Sequence, residues 1–90
     1  MPSFLVEIYL ARSHAGERTA RERQVRRAAE ELSTKRTPIR FEGSIHVIED
    51  ELCFFLFDAP SARAAALAAE RAGLEPLRVV EAVSSRKEEK

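Results

Sequence analysis

Ile39-Arg40-Phe41-Glu42-Gly43-Ser44-Ile45-His46-Val47-Ile48, then Glu49-Asp50-Glu51, then Leu52-Cys53-Phe54-Phe55-Leu56-Phe57: this stretch in the middle of the chain decides the fold. Two apolar runs joined by a short acidic turn predict an antiparallel β-hairpin. Pro38 marks where the first run begins, because proline cannot donate a central ladder bond. Along that run Ile39, Phe41, Ile45 and Val47 share one parity, and Arg40, Glu42, Ser44, His46 and Ile48 share the other. Gly43 between them suggests a bulge, which shifts the phase of one half. The run Leu52–Phe57 is apolar on both faces, as in a central strand covered on both sides.

Outward from the hairpin, Phe4–Leu10 and Leu77–Val83 read as the outer strands. Between the first strand and the hairpin, Glu17–Ser33 carries a narrow apolar stripe of Val25, Ala28, Ala29 and Leu32 at helical spacing. After the hairpin, Asp58, Pro60 and Ser61 can start a second helix, alanine-rich from Ala62 to Ala72, which Gly73 and Pro76 end. The order βαββαβ predicts an α+β, ferredoxin-like domain over residues 1–83, with a four-stranded antiparallel sheet. Helices cover only one face of such a sheet, so the other must meet a partner, a ligand or water. Residues 84–90 are polar and charged and are expected to be a disordered tail.

Composition removes several classes of function. Fifteen basic and fifteen acidic residues leave no net charge, hence no general attraction to nucleic acid or to an anionic membrane. The first helix and its exit hold Arg18, Arg21, Arg23, Arg26, Arg27, Lys35 and Arg36, but Glu17, Glu22, Glu30 and Glu31 are interleaved and would repel phosphates. The Glu51–Phe57 stretch lacks the basic, glycine and aromatic pattern of the RNA-recognition version of this topology. No apolar run approaches the ~20 residues of a membrane helix. One cysteine and no secretory leader pattern lead to the expectation of a cytoplasmic protein.

No catalytic motif is present: Ser44 and Ser61 stand outside any G-x-S-x-G turn, and there is no glycine-rich phosphate loop. Cys53 reads as a buried structural thiol, with nothing cationic beside it in sequence to lower its pKa. Collecting the strand faces expected to point away from the helices gives Glu7, Tyr9, Arg40, Glu42, Ser44, His46 and Glu81 among Leu5, Phe55, Phe57, Leu77 and Val79. If a second copy packs its sheet there, these residues line a cavity between two sheets. Glu7, Tyr9, Glu42, His46 and Glu81 are then the candidate ligands of a divalent ion in an oxygen-rich shell. Leu5, Arg40, Ser44, Phe55, Phe57, Leu77 and Val79 are the candidate pocket lining.

The segments Phe4-Leu5-Val6-Glu7, Thr37-Pro38-Ile39-Arg40, Cys53-Phe54, Ala72-Gly73-Leu74 and Val79-Val80-Glu81, in this order and spacing, resemble a family of small bacterial proteins of unassigned function. The best-described kind in that family is a nickel-binding protein with a ferredoxin-like fold that forms a dimeric α/β barrel. The resemblance covers nearly all of residues 3–83 and implies a homodimer with facing sheets and nickel as a named ligand. Ile8 stands where the nickel-binding kind has a histidine, and His46 where many relatives have an aromatic residue, so the family's metal site does not carry over residue by residue.

Three readings follow. In the first, the chain is a homodimeric binding protein whose inter-sheet cavity takes a divalent metal such as nickel. In the second, it is a cofactor-free monooxygenase- or isomerase-like barrel, with Tyr9, Arg40 or His46 orienting a small organic substrate or moving its protons. In the third, the sheet face is a dimer interface with no ligand.

Overall fold

The structure is a computed structural model describing residues 1–83 and Ser85. The expected disorder of residues 84–90 therefore falls, Ser85 apart, outside the described residues. Strand β1 (Ser3–Tyr9) leads through a 3-10 turn (Arg12–Glu17) into helix α1 (Arg18–Leu32). Strands β2 (Arg40–Val47) and β3 (Leu52–Asp58) form the hairpin, and helix α2 (Ala62–Arg71) returns the chain to β4 (Arg78–Ala82). The sheet order is β2-β3-β1-β4 with every neighbouring pair antiparallel. This is the ferredoxin-like α+β arrangement. Among the described residues no helix is long and apolar enough to cross a membrane.

Both helices lie on one face. From α1, Val25, Ala28 and Ala29 are buried; from α2, Ala64, Ala65, Ala68 and Ala69, whose small side chains bring the helix close to the sheet. The Ser61 hydroxyl caps α2 by accepting from the Ala64 N–H at 3.2 Å, satisfying one donor of the first turn. At the other end Gly73 (φ +87°) donates its N–H to the Glu70 carbonyl, and Leu74 donates to Ala69. That pair of bonds is a Schellman cap, which needs the left-handed residue that glycine supplies without strain. Beneath the helices lie Phe4, Val6 and Ile8 of β1, Phe41 of β2, and Cys53, Phe55 and Phe57 of β3.

Two features set which residues face away from the helices. The β1–β3 register places Phe4 opposite Phe57, Val6 opposite Phe55 and Ile8 opposite Cys53. Phe55 and Phe57 are therefore core residues, fully buried under the helices, and not the expected lining of the open face. Val79 stands opposite Val6 and Glu81 opposite Phe4, which likewise puts them on the helix side, while Leu77 precedes β4 and is exposed. The reason is that β3 and β4 have apolar residues at both parities, so alternation could not choose a face.

The second feature is the bulge. Phe41 pairs with Phe57 and Gly43 with Leu56, leaving Glu42 as the extra residue. Beyond it the phase reverses: Ser44 stands opposite Phe55 and His46 opposite Cys53, on the helix side, while Ile45 and Val47 stand opposite Phe54 and Leu52, on the open side. The expected open-face placement of Ser44 and His46 is corrected accordingly. Gly43 has φ +151°, and a Cβ there would touch nothing, so the strain of Gly43→Ala is in the backbone alone. Urea unfolding should show that variant losing about 1–3 kcal/mol.

Candidate functional site

The open face of the sheet is built from Ser3, Leu5, Glu7 and Tyr9 of β1, Leu52, Phe54, Leu56 and Asp58 of β3, Arg40, Ile45 and Val47 of β2, and Arg78, Val80 and Ala82 of β4. Open faces of antiparallel sheets are ordinarily polar. Here the middle of the face is apolar and the charged groups are paired within the chain: Arg78 Nε donates to Glu7 Oε1 at 2.8 Å, the Ser3 hydroxyl donates to Asp58 Oδ1 at 2.8 Å, and Arg40 is paired with Glu42. Ile45 is 65% exposed and Tyr9 58%, and Val47 and Ile48 extend the apolar surface toward the hairpin turn. A contiguous surface of this kind marks a place where something else packs or binds.

A polar cluster sits on the opposite side, between α1 and the bulged end of β2. Arg18 Nη1 donates to Glu22 Oε2 and to Ser44 Oγ, both at 3.2 Å, and the Ser44 hydroxyl donates to Glu22 Oε2. The phase reversal at Gly43 delivers Ser44 to α1. Nearby, His46 Nε2 lies 3.1 Å from the Leu10 carbonyl, and since a carbonyl only accepts, the ring donates through Nε2. These groups have partners within the fold, and none of them reaches the open face.

Cys53 is fully buried, and burial pushes its thiol above its ordinary value near 9.0. Arg18 and Arg21 pull in the other direction and Glu22 adds to the rise, so the native thiol stays protonated at neutral pH. The native state thus holds this proton more tightly than the unfolded chain, and the associated stability is present below about pH 9 and lost as pH rises through the folded pKa. The stability of wild-type protein should fall more steeply than that of Cys53→Ala between about pH 8 and about pH 10 in urea unfolding. Equal slopes would contradict the burial account.

The expected metal ligands do not come together. Glu7 and Tyr9 are on the open face, and His46 lies on the helix side, bonded to the Leu10 carbonyl. Glu42 borders a groove of about 600 Å³ between α1 and β2, with its Oε2 3.7 Å from Arg40 Nε. Glu81 is exposed on the edge strand β4, on the helix side. Among the described residues, no three His, Cys, Asp or Glu side chains are grouped so as to hold a metal ion. Of the expected lining residues, Leu5 and Arg40 lie on the open face with Glu7 and Tyr9, Arg40 standing opposite Asp58 in the parity of Leu56. Sequence reasoning missed Ile45, Val47, Phe54, Leu56 and Val80 there, and the signal that could have found the first two was Gly43, whose bulge decides the parity of β2 beyond it.

No family model matches the chain, and no curated protein does. Among solved structures the chain is similar to SCO4226 from Streptomyces coelicolor A3(2), with a TM-score of 0.70 and 20% sequence identity. The likeness covers 91% of this chain and 98% of that one. At this identity it shows the shared fold and nothing further.

Proposed function

We propose that this chain is a small homodimeric binding protein, its two open sheet faces packed against each other around an apolar cavity that takes a small ligand. The observation that carries this reading is the apolar open face of Leu5, Ile45, Leu52, Phe54, Leu56 and Val80, in a strand system where alternation should have left polar residues. Its central ion pair, Glu7 with Arg78, is internal to the chain, and Arg40, at the end of the face, is paired with Glu42 of the same chain. A two-fold interface needs such a self-complementary patch. A 90-residue chain also gains from association, because a domain this small buries a limited share of its own surface.

The geometry favours an organic ligand over a metal ion. A divalent ion such as nickel would draw its donors from Glu7 and Tyr9 of two chains, since Glu42, His46 and Glu81 lie elsewhere. It also parts the residues that a monooxygenase- or isomerase-like reaction would use: Tyr9 and Arg40 share the open face at different strand positions, while His46 is on the helix side, bonded to the Leu10 carbonyl.

Native mass spectrometry of tag-free protein purified without chelator tests the reading. Ions at twice the chain mass, carrying extra mass that denaturation releases, are the expected result. Single-chain ions at every concentration would overturn it, and a retained metal ion in place of an organic mass would shift the ligand to the divalent class.

A further inference from the structure

Strand β4 begins at Arg78 opposite Glu7, so the last two residues of β1, Ile8 and Tyr9, have no β4 neighbour. The chain leaves α2 through Gly73 and approaches β1 only at Leu77, whose N–H donates to the Glu7 carbonyl at 2.7 Å. This leaves a cavity of about 440 Å³ at the end of the sheet, lined by Ile8, Tyr9, Arg21, Glu75, Pro76 and Leu77 together with Gly73. Its size is within the range of small-ligand sites.

Arg21 enters from α1 and is the cavity's one cation among the described residues. Its Nη2 donates to Glu17 Oε1 at 3.2 Å, but its Nε is buried and has no hydrogen-bond partner among the described residues. A buried guanidinium N–H without an acceptor is costly, and a turn of the side chain toward an anion in the cavity would satisfy it. Around it the walls supplied by Ile8, Pro76 and Leu77 are apolar, and Tyr9 adds a phenol.

We infer that this cavity binds a small monocarboxylate with an apolar body, the carboxylate accepting from Arg21 and the body lying against Ile8, Pro76 and Leu77. Carboxylate is the anion whose planar geometry suits a guanidinium. Glu75, exposed at the cavity, sets the limit on charge: a second anionic group on the ligand would meet it. Its lining residues all belong to one chain, Tyr9 being shared with the open sheet face.

Sodium benzoate is a suitable probe, with benzamide as its uncharged match, titrated into the 15N-labelled 90-residue protein. Benzoate should give saturable shifts of the Ile8, Tyr9, Gly73 and Leu77 amides and of the Arg21 side-chain N–H. Benzamide should bind at least about tenfold more weakly, and Arg21→Gln should lose about as much for benzoate. Glu75→Gln should tighten benzoate binding by removing a like charge. Absence of saturable shifts, equal binding of the two probes, or benzoate binding unchanged in a folded Arg21→Gln protein would each overturn the assignment. If Arg21→Gln does not fold, the comparison of the two probes on the wild-type protein decides.

Discussion

Phe55→Ala is expected to lower the unfolding free energy by about 3–5 kcal/mol, the cost of emptying a fully buried phenylalanine site in a core that collapses only in part. Phe55 is completely buried beneath the helices, with its ring centroid 5.9 Å from that of Phe41, which in turn packs at 5.6 Å from Phe57. A domain of this length has a total stability of about 5–13 kcal/mol, so the variant gives up a large share of it. Its sequence neighbour Phe54 sits on the open face and is only partly buried in the single chain. Measured on dissociated chains, Phe54→Ala should cost well under half as much. Urea unfolding of the two variants reads the face assignment directly: a larger loss for Phe54→Ala would mean that the sheet is turned over.

The second large effect is on association. Ile45 is exposed in the single chain, so Ile45→Arg should leave its folding stability within about 0.5 kcal/mol of wild type. In a two-fold interface the same change buries two unpaired cations, each costing several kcal/mol. The dimer dissociation constant should therefore rise by on the order of a thousandfold or more, roughly 4 kcal/mol. Sedimentation velocity with circular dichroism on the same sample separates the two effects. A folded Ile45→Arg protein that still associates as wild type does would place the interface elsewhere.

Much of the fold could be read from the order of apolar runs and helical stripes. The Val25-Ala28-Ala29 stripe, the Ser61 cap and the Gly73 stop each correspond to an observed contact. The site was harder to read, for a specific reason. In β1, Glu7 and Tyr9 mark the open face, and the structure keeps them there with Leu5. In β3 every residue from Leu52 to Phe57 is apolar, so nothing in the pattern distinguished Phe54 and Leu56 from Phe55 and Phe57. The choice is made by register against β1, a long-range property.

The bulge made a second ambiguity. Gly43 signalled an extra residue, but not which half of β2 keeps the phase of Phe41. The outcome sends Ser44 to Arg18 and Glu22, and His46 to the Leu10 carbonyl, and exposes Ile45. Arg21 and the cavity at the end of β1 had no sequence signal beyond one arginine among seven basic residues in that region. Its position depends on β4 starting two residues short of the end of β1.

The central claim is that the open sheet face is covered by a second copy of the chain. Light scattering coupled to size-exclusion chromatography, run over a range of loading concentrations, tests it most directly. The predicted result is a molar mass of twice the 10.1 kDa of one chain, persisting on dilution. A mass equal to that of one chain throughout, with the protein folded, would contradict it.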